Sequence, residues 1–569
     1  MDNSHNNEAN RDEETSPPVS PVSQSLNSKI VSLIIYIVFQ LETSITEFET
    51  LEFLRTHLVP QNVRFSSIME RNKKGVLRWK RVGIRPEDHM IVPTFPNGLT
   101  RERYDEMLRE YISKIGCENF SKGKPLWEVH LVKYPSMKGA STLIFKFTHA
   151  IGDGYSFMRV FFKACRRADK PSLPPTFPRM SLIKTQQDHG NGVIGLGKKL
   201  LGLMGTCINT SYDVVETSLR VTCLEDRPSA IRYSYTSKKR ELLRPFNVYS
   251  ETVSLDRVKQ VRTKLGATVN DVIIGLLSYM IHLYTERKKK LMQQYGEQDG
   301  LLMMDSNGAT NMTLCVMVNT RVFKGAKNLD DMIKAEAWGN RSSIAFAKLP
   351  SFPNDEQVNP LDFIIQAKKN MDRKKNSLML PLLDPFLKNA TQMLGQKVTN
   401  GFLYKSFKNS STMISNLIGP KEQMAFMNHP VINFYYIVSG IPQSTTFTSM
   451  TNNDKLMVVV TMEKGFIDSE LFTSCMDEAF ENIFQAAFGD NQGIKFVVAG
   501  NFPLKFVLGR SVIKVITEIK GSDKRRAVDA TITEIKVSSY HWVSANSISV
   551  NYVLQDVIAN WRTLLFEPS

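Results

Sequence analysis

The run Ile30–Phe39, "IVSLIIYIVF", is apolar at nearly every position and rich in β-branched residues. A membrane-spanning helix needs about 20 consecutive apolar residues, so this run reads as a buried strand. A strand with no face left for water has to be covered on both sides, which points to strands alternating with helices.

The neighbouring sequence supplies the helices. "ITEFETLEFLRTHLV" carries apolar residues at helical spacing, and "NGLTRERYDEMLREYISKI" is a second amphipathic helix with Thr100 placed to cap it. "PLWEVHLVKY" and "STLIFKFTH" read as strands, so residues 17–167 form one α/β region behind a polar, acidic and disordered segment, 1–16. Residues 168–248 hold the proline-rich "ADKPSLPPTFPRMSLIKTQQDHGNG" and read as a crossover or linker. Inside it "NGVIGLGKKLLGLMGTCI", interrupted by glycines and two lysines, reads as an interfacial or buried helix and a candidate for membrane contact. A second α/β region covers 249–489, where Val272–Tyr284 is apolar on nearly all sides and reads as a buried helix. Residues 490–569 read as strands plus one helix, an extension to which no chemistry attaches.

Composition narrows the classes. Hydrophobic content of 42% and charged content of 22% suit a globular chain. The net charge is +16, but basic runs such as Arg287-Lys288-Lys289-Lys290 are not interleaved with aromatics as a base-stacking surface would be, so no nucleic-acid partner is expected. Solvated surface charge, an anionic lipid surface or a phosphate-bearing carrier remain. The six cysteines form no C-x-x-C pair, which gives no zinc or redox motif and fits a reducing compartment. The N-terminus lacks the basic start and apolar core of a signal peptide.

Chemistry concentrates in "LIFKFTHAIGDGYSFM", residues 143–158. A strand ending at His149 delivers an imidazole to a sheet edge, and a histidine near its usual pKa of about 6.5 can act as a general base at neutral pH. Gly152 and Gly154 are read as permitting backbone angles barred to other residues, so that the chain reverses around Asp153. Asp153 is read as a structural group that pairs with a distant arginine. The alternative for the whole motif is a strand terminus followed by a turn. A metal site fails because His149 and Asp153 give at most two ligands. No G-x-S-x-G elbow and no phosphate or dinucleotide loop is present.

Five further stretches accompany the motif: "GKPLWEVHLV" at 123–132, "TVNDVIIG" at 268–275, "VNTR" at 318–321, "WGN" at 338–340 and "SNLIGP" at 415–420. With "PVSPVSQSLNS" near the N-terminus and "GIPQSTTFTSMTNNDKLMVVVTME" at 440–463, the sequence resembles the plant wax ester synthase/diacylglycerol acyltransferase family from about Pro18 to Gly489. The resemblance implies two lobes like chloramphenicol acetyltransferase with an active-site tunnel between them. It implies transfer of a fatty acyl group from acyl-CoA, as substrate, to a long-chain alcohol or diacylglycerol, with no cofactor or metal. It further implies a membrane surface as partner, at the cytosolic face of the endoplasmic reticulum, with the plasma membrane as a second location. His149 takes the place of the family's catalytic base, supported by Asp153 and Gly154. The family's first motif histidine is replaced by Thr148, which a regular strand would turn away from His149. Asn416, Ser415, Asn270 and Asp271 are the substrate or oxyanion candidates, although Asn270 could simply cap the following helix. Trp127 and His130 read as packing residues. Two other readings stay open: an impaired homologue that binds acyl lipids without turning them over, and an acyltransferase for soluble acceptors of the BAHD type, whose D-F-G-W-G motif is missing here.

Overall fold

A computed structural model describes residues 16–177, 193–233, 242–295, 312–321, 338–352 and 358–489. The expected disordered segment 1–16, apart from Ser16, part of the crossover and the extension 490–569 lie outside the described residues. Phe484–Leu554 separates as a second compact unit, of which only the end of one helix is described; everything below concerns the first.

The chain opens with the short helix α1 (Pro21–Leu26), capped by the Ser20 hydroxyl, and enters β1 (Ile34–Leu41). All eight residues of β1 are buried, as an apolar run without a solvent face requires. α2 (Glu47–Phe53) begins at a reciprocal cap in which Thr46 and Glu49 satisfy each other's amides. A two-stranded ribbon, β2 (Ser67–Arg71) and β3 (Leu77–Arg81), leads to β4 (Met90–Ile91) and α3 (Arg101–Gly116). Thr100 caps α3 by accepting the Arg103 amide at 3.3 Å. β5 (Trp127–Val132) and β6 (Ser141–Thr148) follow, then α4 (Gly154–Ala164) and β7 (Cys165–Arg167).

The described part of the crossover holds one long helix, α5 (Val193–Thr222), of 30 residues. Beyond it come β8 (Phe246–Ser254), α6 (Leu255–Leu265), α7 (Val269–Tyr295), β9 (Thr313–Asn319) and β10 (Ser342–Lys348). Three helices, α8 (Pro360–Lys375), α9 (Met379–Leu394) and α10 (Gln396–Lys408), precede β11 (Thr412–Ile418). β12 (Met424–Phe426), β13 (His429–Ser439), β14 (Thr445–Asn452), β15 (Lys455–Glu463) and α11 (Ser469–Phe488) complete the order. No single described helix is long and apolar enough to cross a membrane.

Two sheets result, in the orders β4-β5-β6-β1-β13-β12-β7 and β10-β9-β11-β14-β15-β8. The lobes are therefore not the consecutive halves 17–167 and 249–489. β12 and β13, from the second half, complete the first sheet, because β13 pairs antiparallel with the central β1 from Ile34↔Ser439 onward. The same strand ties the sheets together: Thr448 Oγ1 donates to the Tyr436 carbonyl at 2.5 Å, and Thr446 Oγ1 to that of Val438 at 3.3 Å. A second seam joins α3 to β8, where a Cβ at Gly116 would lie 2.3 Å from the Phe246 ring. The seam between β1, β13, β9 and β11 is where the chemistry-bearing residues gather.

Candidate active site

β6 ends at Thr148, and the His149 amide is held by the Leu33 carbonyl at 2.8 Å, so the imidazole leaves the sheet at a fixed point. His149 Nδ1 lies 2.8 Å from Asn340 Oδ1. The Asn340 Nδ2 donates to the His149 carbonyl at 2.9 Å and to Ser23 Oγ at 3.0 Å. Two acceptors on the nitrogen side set the amide's orientation, so its oxygen faces the ring and Nδ1 must carry the proton. That leaves Nε2 as the basic nitrogen. Burial pushes the imidazole pKa below its usual value, against the opposing pull of Asp153 and of the bond to Asn340.

Asp153 caps α4 by accepting the Ser156 amide at 3.0 Å. Its carboxylate also takes both guanidinium nitrogens of Arg321, at 2.6 and 3.0 Å, and the Arg341 amide at 2.9 Å. Burial works to raise this carboxyl, but Arg321 and the amide donors outweigh it and hold the pKa below the usual range. Asp153 is thus a fixed anion. The turn between His149 and Asp153 is clamped from outside: the Ile151 carbonyl accepts from Arg64 at 2.8 Å and from the Trp338 indole at 2.7 Å. Arg321 also donates to the Gly339 carbonyl at 2.9 Å, and Gly339 has a φ of +116°, which favours glycine.

Gly152 and Gly154 correct the sequence reading. Neither is in the left-handed region. Space constrains Gly152, where a Cβ would lie 2.8 Å from Ser156 Cβ, whereas one on Gly154 would meet only the flexible end of Leu417, at 2.9 Å from Cδ1.

The opposite wall comes from β9, β11 and the start of α7. A cavity of about 820 Å³, counting its open mouth, is lined by His149, Asp153, Gly154, Asn270, Ser415 and Asn416, with apolar side chains such as Leu33, Ile35 and Leu417. Asn416 Nδ2 donates to Asn270 Oδ1, and Ser449 donates to Asn416 Oδ1. With both amide oxygens occupied, the spare hydrogens of the two Nδ2 groups are the neutral donors this wall can offer. The Tyr436 hydroxyl lies 2.6 Å from the Ser415 carbonyl and 3.0 Å from its Oγ, and burial keeps the phenol protonated by raising its pKa.

Two of the expected residues fall elsewhere. Asp271 does not line the cavity; it forms the helix cap with Thr268, accepting the Thr268 amide at 2.9 Å while Thr268 Oγ1 accepts its own at 3.2 Å. The capping role considered for Asn270 thus belongs to Thr268 and Asp271, which frees Asn270 for the cavity. Thr148 is buried and turned away from the cavity, its hydroxyl accepting the Ala150 amide at 3.4 Å. Trp127 is fully buried, donating to the Phe65 carbonyl at 2.9 Å, and His130 bonds Tyr111 at 2.7 Å. Among the described residues no group of three His, Cys, Asp or Glu side chains could hold a metal. Arg321, Asn340 and Ser23 were not singled out in the sequence. Their signal was membership of "VNTR", "WGN" and "PVSQSLNS", stretches far apart in the chain that meet around one histidine.

The comparisons with known proteins agree with this picture. Residues 103–273 match the wax ester synthase/diacylglycerol acyltransferase catalytic domain, and 338–484 match the WS/DGAT C-terminal domain. Wax ester synthase/diacylglycerol acyltransferase 11 of Arabidopsis thaliana is 29% identical over 72% of this chain and 83% of its own. Wax ester synthase/diacylglycerol acyltransferase 9 of the same plant is 25% identical over 83% of this chain and 96% of its own. The solved wax ester synthase/diacylglycerol acyltransferase from Marinobacter aquaeolei VT8 shares the fold, with a TM-score of 0.52 at 15% identity over 83% of this chain and 99% of that one. Fold and site together define a two-lobed α/β acyltransferase. The chain belongs to the wax ester synthase/diacylglycerol acyltransferase family.

Proposed function

We propose that the enzyme moves a long-chain fatty acyl group from acyl-CoA to the hydroxyl of a long-chain alcohol or of diacylglycerol, without a metal or redox cofactor. The observation that carries this reading is the His149–Asn340 pair, which presents a neutral base at the cavity. An alcohol attacks a thioester poorly while it holds its proton. His149 Nε2 takes that proton as the oxygen attacks the thioester carbon, a role worth roughly 10²–10⁴ in rate. The tetrahedral oxyanion is met by the spare amide hydrogens of Asn270 and Asn416, preorganised by their mutual bond and by Ser449. Collapse expels the coenzyme A thiolate, which recovers the proton from His149, and the ester leaves. Asp153 moves no proton, because Arg321 and two backbone amides hold it ionised. The family's acceptors are lipids, and the basic net charge of +16 supports work at an anionic membrane surface, in our reading the cytosolic face of the endoplasmic reticulum or the plasma membrane.

The test is ester formation by purified protein given palmitoyl-CoA with hexadecanol or diacylglycerol. His149→Ala is expected to lose about 10²–10⁴ in kcat with an unchanged melting temperature. Background ester from both proteins would leave a lipid binder without turnover.

A further inference from the structure

Helix α5 is built inside out. In its C-terminal half the charged side chains point into the protein: Asp213 meets Lys374 at 2.6 Å with both side chains about 5% exposed or less, Glu216 meets Lys374 at 2.6 Å and Arg373 at 3.2 Å, and Arg220 meets Asp226 at 2.7 Å. These buried pairs fix the helix's rotation, since turning it would strand charges in a low-dielectric interior. What faces outward is apolar. Leu200, Met204, Ile208, Tyr212, Val215 and Leu219 recur every three or four residues and are all exposed, Ile208 by 66%. A surface helix ordinarily does the opposite.

The stripe continues onto its neighbours. α5 packs against α9 and α10, and Leu378 at the head of α9 donates its amide to Thr210 Oγ1 at 2.9 Å. α9 exposes Leu382, Phe386, Met393 and Leu394, the last two by 82% and 70%. Large contiguous apolar surface of this kind marks an interaction site. Its charge selects the partner. α10 carries Lys397, Lys405 and Lys408 and no carboxylate, and the first 20 residues of α5, 193–212, carry two lysines and no carboxylate. An apolar helix face bordered by basic residues, about 30 Å long from Leu200 to Leu219 at 1.5 Å per residue, suits a helix lying in the plane of a lipid interface.

We infer that the outward faces of α5 and α9, with the lysines of α10, form a docking surface for an anionic lipid bilayer. This deepens the membrane-surface part of the proposed function but needs no turnover, so the two are tested separately. Full-length protein is mixed, without substrate, with vesicles of phosphatidylcholine alone or of phosphatidylcholine and phosphatidylserine at about 3:1, and flotation is measured. The wild type is expected to float with the mixed vesicles. The variant Leu200→Ser/Met204→Ser/Ile208→Ser is expected to partition on the order of tenfold less. Lys397→Glu/Lys405→Glu is expected to remove the preference for phosphatidylserine, and both variants to keep wild-type ester formation in detergent. An environment-sensitive label on Cys207, exposed on α5, in the Cys223→Ser background is expected to shift to the blue when mixed vesicles are added. Wild type that stays unbound, or a triple variant that floats as well as wild type, overturns the inference. So does a label already shielded from iodide before lipid is added, which means that the chain itself covers the face. A wild-type dimer that the triple variant abolishes, with lipid binding unchanged, assigns the face to a second copy and overturns it as well.

Discussion

The two walls of the cavity are built on different physics. The histidine wall is fixed by charge: Asp153 and Arg321, both buried, are joined by two hydrogen bonds and surrounded by further donors and acceptors. The amide wall is neutral: Asn270, Asn416 and Ser449 hold one another in a chain without a formal charge. The first arrangement makes position insensitive to everything except loss of a partner. The second leaves amide hydrogens unspent, which is what a developing oxyanion needs. In the proposed reaction one wall carries the geometry and the other the stabilisation of charge, and variants should separate the two.

The largest effect is expected from breaking the charged wall. Arg321→Ala leaves the Asp153 carboxylate buried and unpaired, a loss of about 3–5 kcal/mol of stability. Denaturant unfolding of the two proteins measures it, and ester formation should fall with the folded fraction. A stable but inactive Arg321→Ala protein would instead put Arg321 into the chemistry. On the neutral wall Asn416→Ala should do the reverse. It removes the proposed oxyanion donor and the partner that orients Asn270, for an expected loss of roughly 10²-fold in kcat, while thermal unfolding shifts by a few degrees at most. If both variants lose stability and rate in parallel, the division between the walls is wrong.

A subtler probe adds charge at the neutral partner of the imidazole. Asn340→Asp keeps an acceptor 2.8 Å from His149 Nδ1 but makes it anionic, which favours the imidazolium. In the wild type, burial lowers the His149 pKa, so activity should persist below the usual histidine value of about 6.5 before the base is protonated. The same shift bears on stability. The native state binds fewer protons than the unfolded chain between the lowered pKa and about 6.5, so this group's contribution is full above that window and is lost as pH falls through it. In Asn340→Asp the acid limb of kcat/KM should move to higher pH by about one unit. An unchanged limb would mean that the group titrating in that limb is not His149.

Much of this was legible in the sequence, and what was not has a physical reason. The apolar run at β1 could only be a covered strand, and Thr100 caps α3 through its own neighbours, so both readings needed nothing beyond local chemistry. His149 at a strand end belonged to the same class. Arg321 and Asn340 did not, because they arrive across 168 and 191 residues of chain and contacts of that separation leave no local pattern. Gly152 was misread because a glycine kept for space looks the same in sequence as one kept for its backbone angles. α5 was read as a helix from its apolar segment at 191–208, but its continuation to Thr222 was not, because the carboxylates there pair with residues distant in the chain.

Thr148 sets the smallest expectation. It pairs with Ile34 across the sheet, is 1% exposed and turns from the cavity. Its hydroxyl accepts the Ala150 amide at the long distance of 3.4 Å, and that amide begins the turn that carries His149 into Asp153. Losing one such bond costs roughly 0.5–1.5 kcal/mol, which the clamps on Ile151 and the Asp153–Arg321 pair can absorb without moving the imidazole. Thr148→Ala should therefore lower the melting temperature slightly and leave kcat within about threefold of wild type, since a shift of 1.4 kcal/mol in the barrier would already be needed for tenfold. A loss as large as that of His149→Ala would place the residue beside the base in the reaction itself, on a face of the strand that the structure turns away from it.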